Sequence, residues 1–123
     1  MKTLTKAEEQ VMHALWKLKH GFLKDVLELF PEPRPHPNTV ATLLKILVEK
    51  GFVETEVQGR NHLYLVKIQK SEYGKKSIQQ VVKGYFDGSP SKLVSQFIAD
   101  NKISVEELET ILKEIRNAKT NNP

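Results

Sequence analysis

Pro37-Asn38-Thr39-Val40-Ala41-Thr42-Leu43-Leu44-Lys45-Ile46-Leu47-Val48-Glu49-Lys50-Gly51 runs directly into Phe52-Val53-Glu54-Thr55-Glu56-Val57-Gln58-Gly59-Arg60-Asn61-His62, and the hydrophobic period changes at Gly51. Before it, Val40, Leu43, Leu44, Leu47 and Val48 recur at helical spacing and form one apolar face. After it, Val53, Thr55 and Val57 alternate with Glu54 and Glu56, the period of a half-buried strand. Leu63, Tyr64, Leu65, Val66 and Ile68 form a second strand-like run, so Gln58-Gly59-Arg60-Asn61-His62 reads as a hairpin tip. Pro37 suits the first helical turn, where its missing N–H costs nothing, and Gly51 suits the stop.

Working back from this stretch, Thr5-Lys6-Ala7-Glu8 has the spacing of a capping box and predicts a helix start. Ala7, Val11, Ala14, Leu15 and Leu18 then share a face, with Trp16 near it and Gly21 expected as the stop. Leu23, Val26, Leu27 and Phe30 repeat the pattern over a shorter helix. The run Pro31-Glu32-Pro33-Arg34-Pro35-His36-Pro37 must end it, because proline cannot continue a helix. Three helices followed by a hairpin within about 70 residues have the order of a winged helix-turn-helix, with Gly59-Arg60 as the wing. The expected fold class is mainly α with a small β-hairpin, its first domain spanning residues 1–70 and a helical dimerisation region spanning 71–119.

In that second region Ile78, Val81, Val82, Tyr85 and Phe86 form a helical stripe, and Leu93, Val94, Phe97 and Ile98 form another. A second capping box, Ser104 with Glu107, opens a last helix bearing Val105, Leu108, Ile111, Leu112 and Ile115. Three such helices bury little against one another below ~60 residues, so a second copy of the chain is expected to cover them, with packing back on the winged helix as the alternative. Expected dimer contacts are Ile78, Val82, Tyr85, Phe86, Leu93, Val94, Phe97, Leu108, Ile111, Leu112 and Ile115. Residues 120–123 are expected to form a flexible tail.

Charge and composition narrow the function. The chain has 123 residues, with 39% apolar and 28% charged, and Lys plus Arg exceed Asp plus Glu by 19 to 15. This surplus mildly favours a polyanionic partner. There is no cysteine, which removes disulfides, zinc-thiolate sites and thiol nucleophiles and suits a reducing cytoplasm. No run approaches the roughly 20 apolar residues that span a bilayer, and a cytoplasmic protein is expected.

His13, His20, His36 and His62 have no spacing that would place two ligands on one helix face, and no paired carboxylates stand out as acid and base. Neither a metal, a cofactor nor an enzymatic activity is expected. Ser89-Pro90-Ser91-Lys92 fits an S-x-x-K pattern, but the companion motifs are missing and the segment reads as a helix N-terminus. Asn38, Thr39, Thr42 and Lys45 occupy the polar face of the third helix, with side chains suited to hydrogen bonding at base edges in a major groove. Arg60 and His62 at the hairpin tip suit the DNA backbone or minor groove. The expected partner is double-stranded DNA. A winged-helix protein-interaction module in a larger complex is the rival reading, to which Ile46 and Glu49 on the same side lend room.

With these residues in place, the chain resembles the penicillinase-repressor family, also called the BlaI/MecI/CopY family of winged-helix transcriptional regulators. Leu4-Thr5 with Glu8, Val11-Met12, Leu15-Trp16, Asn38-Thr39-Val40, Thr42-Leu43-Leu44, Lys50-Gly51-Phe52-Val53, Gly59-Arg60 and Tyr64 carry the N-terminal likeness. Tyr85-Phe86-Asp87-Gly88-Ser89 and Ser91-Lys92-Leu93-Val94-Ser95-Gln96-Phe97 carry the C-terminal one. The resemblance implies a homodimeric repressor on a palindromic operator. In the family's beta-lactam-responsive members it implies release when a membrane sensor-protease leads to cleavage in the dimerisation region, here at Gln96–Phe97. Well-known members have Asn where this chain has Gln96 and Arg where it has Ala41. The cysteine cluster of the copper-responsive branch is missing.

Overall fold

The computed structural model describes residues 1–121, with side-chain burial through Ala118. Its elements are α1 (Lys6–Leu18), β1 (His20–Gly21), α2 (Leu23–Glu28), α3 (Pro37–Glu49), β2 (Val53–Gln58), β3 (Asn61–Val66), α4 (Lys70–Tyr85), α5 (Pro90–Ala99) and α6 (Val105–Asn121). The protein is mainly helical with one small antiparallel sheet, as the hydrophobic periods lead one to expect. Two compact units divide it, Met1–Lys75 and Lys76–Pro123. The division falls inside α4, whose first residue is the one at which the sequence places the end of the first domain. Of the expected tail, Thr120 and Asn121 continue α6, while Asn122 and Pro123 lie outside the described residues.

In the first unit α1 begins at the expected box: the Thr5 hydroxyl accepts from the Glu8 N–H at 3.2 Å, and the Glu8 carboxylate accepts from the Thr5 N–H at 3.1 Å. The helix ends at Leu18, not at Gly21. Lys19 takes the positive φ of 72° and its N–H bonds to the Leu15 carbonyl. Gly21 instead lies in β1, paired with Tyr64, where a Cβ would come 3.3 Å from both Asp25 and Leu18. The expected hairpin is therefore a three-stranded sheet of order β1-β3-β2. Short strands of two residues carry no periodic signal, which is why β1 is silent in the sequence.

The hairpin tip is also tighter than expected. Gln58 pairs with Asn61 and Val57 with His62, so the loop is Gly59-Arg60 alone and His62 belongs to β3. Gly59 has φ 64°, the conformation that a two-residue loop with glycine first requires.

Val11, Met12, Leu15, Val26, Val40, Leu44, Leu47, Phe52 and Val53 form a core with almost no solvent contact. Tyr73, from the start of α4, joins it: its ring meets Phe52 edge-on at 5.4 Å, and its hydroxyl accepts the Leu4 N–H at 2.8 Å. The Trp16 Nε1–H donates to the Ile68 carbonyl at 2.9 Å. The first unit thus reaches past residue 70 because a buried N–H and an aromatic ring need Tyr73.

One charge is buried in this core. Glu8 is 4% exposed and forms an ion pair with Lys50, which also donates to the Thr3 carbonyl at 3.1 Å. Burial pushes the Glu8 carboxyl up, but the Lys50 ammonium and the bonds from Thr5 outweigh it and hold the group below its ordinary value.

The second unit behaves differently. The Ser89 hydroxyl caps α5 by accepting the Lys92 N–H at 3.3 Å, so this S-x-x-K segment is the helix N-terminus expected of it. The Ser104 hydroxyl accepts the Glu107 N–H at 3.0 Å and opens α6. Yet Ile78, Val81, Tyr85, Phe97, Val105, Ile111, Leu112 and Ile115 remain exposed.

Lys50→Met keeps the aliphatic packing and strands Glu8 without its cation, lowering stability to urea by about 3 kcal/mol near neutral pH. Because the depressed carboxyl contributes stability fully above its usual 4.5 and loses it as pH falls through the lower folded-state value, the gap between parent and variant narrows on acidification. Urea titrations over that pH range measure it; a constant gap contradicts the role given to the pair.

Candidate nucleic-acid interface

The start of α3 is made by two residues. Pro37 occupies its first position, and the His36 Nδ1 accepts the Asn38 N–H at 3.0 Å. The histidine cap is absent from the sequence reading, since His is not among the usual capping residues; its place directly before a helix-starting proline is the signal that could have found it.

With Val40, Leu44 and Leu47 turned into the core, Asn38, Thr39, Thr42, Lys45 and Glu49 are left exposed along α3. The Thr42 hydroxyl donates to the Asn38 carbonyl at 2.9 Å, so its proton is committed and it presents a lone pair and a methyl group. Lys45 has no ion-pair partner among the described residues. Ala41 and Ile46 are half-buried at the flanks.

The wing has two unlike faces. Val53 and Val66 anchor one face in the core or against it, and towards the tip that face carries Thr55, Tyr64, Val57 and His62. The His62 Nδ1 lies 3.5 Å from the Thr55 hydroxyl. Glu54 and Glu56 alternate onto the other face, where Lys67 stands 3.8 Å from Glu54. Only the first face and the tip suit a polyanion.

A groove of about 560 Å³ connects this wing face to the recognition-helix candidate, lined by Lys24, Asp25, Ala41, Arg60, His62 and Tyr64 among others. It brings the two expected wing residues beside α3, at Ala41. Asn38, Thr39, Thr42 and Lys45 do not line it. Lys24 and Tyr64 are members that the sequence does not single out as functional. Burial pushes the Tyr64 phenol above its ordinary value, so it stays a neutral hydroxyl at any physiological pH.

In the second unit, a groove of about 470 Å³ between α4 and α5 is lined by Ile78, Val82, Gly88, Pro90, Leu93 and Val94. Of the expected dimer contacts, Ile78, Tyr85, Phe97, Ile111, Leu112 and Ile115 are exposed, Phe86, Leu93, Val94 and Leu108 are half-buried, and Val82 is buried at 8% exposure. Gln96 and Phe97 lie within exposed α5, and the Gln96 amide donates to both Asp100 carboxylate oxygens, at 3.1 and 3.2 Å. Among the described residues, no group of three or more metal-binding side chains comes together and no helix is long and apolar enough to cross a membrane.

A family model described as the penicillinase repressor matches residues 4–117. The chain is 28% identical over 120 residues to the penicillinase repressor of Bacillus licheniformis, covering 94% of each chain. It is 26% identical over 117 residues to the methicillin resistance regulatory protein MecI of Mammaliicoccus sciuri, again with 94% of each covered. Among solved structures it is similar to hsRosR-S1 in a complex, with TM-score 0.55, 18% identity and 94% of each chain covered. It is also similar to a MarR mutant from E. coli complexed with operator DNA, with TM-score 0.50, 14% identity, and 94% of this chain and 75% of that one covered. These structures share the fold, a winged helix.

His36→Ala removes the side-chain acceptor at the start of α3 and costs about 1 kcal/mol, whereas His36→Asn, which keeps an acceptor at the cap, recovers most of it. Urea unfolding of the two variants checks this. Equal loss in both would mean that the ring stabilises by packing and not as a cap.

Proposed function

This chain belongs to the penicillinase-repressor family, and we propose that it is a transcriptional repressor that binds a palindromic operator in double-stranded DNA as a homodimer. The observation that carries this reading is the exposed polar face of α3, Asn38, Thr39, Thr42 and Lys45, on the helix whose Ala41 shares a groove with Arg60 of the wing. Asn38 offers the bidentate pattern that adenine completes, Thr39 and Thr42 offer methyl and lone-pair contacts, and Lys45 reaches guanine or phosphate. Arg60 and His62 hold the backbone or the minor groove. Occupancy of the operator blocks transcription, and no bond of a substrate is broken.

The apolar side chains left bare on α4, α5 and α6 support the dimer. Tyr85 at 83% exposure and Ile115 at 46% are large apolar groups in water, and a second copy covers such faces at the least cost because the contact is self-complementary. Two recognition helices on one dimer then occupy successive major grooves. Release follows from the same linkage: a membrane sensor-protease that leads to cutting at Gln96–Phe97 would detach α6 and the end of α5, and the high effective concentration of the second half-site would be lost. On this reading the protein works in the cytoplasm, where the DNA it binds lies.

Thr39→Glu puts a carboxylate against the phosphate-rich groove and is expected to abolish binding to a duplex selected by the protein itself from a random pool, while the dimer survives in sedimentation. Ile111→Glu with Leu112→Glu is expected to give monomers that bind the same duplex at least tenfold more weakly. Binding by the parent should fall steeply with salt, as counterion release requires. If Thr39→Glu binds normally, α3 is not the reading element; if no duplex is retained at any salt concentration, the protein-interaction reading takes its place.

A further inference from the structure

The groove between α2, α3 and the wing has a charge pattern that the reading helix does not use. Lys24 and Arg60 both line it, and neither has an ion-pair partner among the described residues, whereas Lys50 and Lys67 of the same unit are paired with Glu8 and Glu54. The one carboxylate in the lining, Asp25, already accepts the Phe22 N–H at 2.9 Å. Tyr64 and Asn61 add neutral donors. At position 41 only a methyl group reaches the lining, which leaves the space between α3 and the wing open.

We propose that Lys24 and Arg60 hold one and the same phosphodiester of a DNA strand in this groove, and that Ala41 matters because it leaves room for it. The inference rests on the DNA-binding reading above and deepens it. Two cations from different elements converging on one anion form charge-assisted bonds that a lone rim cation does not. Phosphate contacts carry no sequence information, but they fix the register of the protein on the duplex. Lys24 is therefore a positioning residue: it ties α2 to the backbone point that the wing grips, and so sets the depth and register at which α3 meets the bases.

The experiment uses the full-length chain and a duplex that the unaltered protein selects from a random pool. Lys24→Gln and Arg60→Gln should each weaken binding roughly tenfold. Together they should lower the slope of log affinity against log salt by about 0.9 per half-site, about 1.8 for the dimer, one phosphate's share in each half, and not by twice that. A neutral methylphosphonate at one position in each half-site should weaken the parent and leave the double variant unaffected, and that position should be the same for each single variant. Ala41→Leu should weaken binding at the same position while its thermal unfolding stays that of the parent. Two different phosphate positions for Lys24 and Arg60, or a Lys24→Gln variant that binds as the parent does, overturns the shared site while leaving the repressor reading intact. A parent that retains no duplex overturns both.

Discussion

The turn at Gly51-Phe52 is the constraint on which the first unit depends. Gly51 has φ 83°, a conformation that costs residues with a Cβ, and it lets the Phe52 N–H return to the Leu47 carbonyl at 3.0 Å while the Gly51 N–H bonds to Val48. The Phe52 ring is fully buried against the core, and its carbonyl accepts the Lys67 and Ile68 N–H groups at 2.9 and 3.3 Å. One residue therefore closes α3, starts the path into β2 and receives the chain leaving β3. Tyr73 then packs on the same ring. The angle between α3 and the wing is set there, and not by any contact at the exposed tip.

The two units solve opposite physical problems. The first buries most of its large apolar side chains internally, with Val57 and Leu29 among the exceptions, and leaves mainly polar and basic groups outside, which suits a surface that meets water or a polyanion. The second keeps well-capped helices but leaves Tyr85, Phe97 and the Ile111-Leu112-Ile115 stripe in water. On the proposed reading, a second copy would finish one unit while the other is complete by itself, and DNA affinity could then be changed by acting on the dimer without touching α3.

Long periodic segments were legible and short or tertiary ones were not. Both capping boxes, Thr5/Glu8 and Ser104/Glu107, and the stripe on α3 declared their helices, because capping and burial act over neighbouring residues. β1 has two residues, and its Gly21 lies close to Asp25 and Leu18 while pairing with Tyr64, a tertiary arrangement that no local pattern expresses. Tyr73 and His36 carry no local signal for a related reason: His36 acts through one hydrogen bond, and Tyr73 through ring packing on Phe52 and a bond from an amide 69 positions away. Of the candidate interface, the face of α3 and the wing arginine could be read directly, but His62 was expected in the loop and lies in β3. Lys24 joins it only through the tertiary placement of α2 beside the wing.

The claim that all of this supports is a pair of recognition helices acting together on one DNA. Hydroxyl-radical footprinting of the selected duplex, with the stoichiometry of the complex measured by sedimentation, tests it most directly. The account predicts two protected patches about one helical turn apart on the same side of the duplex, with two chains bound. A single protected patch with one chain bound would contradict it.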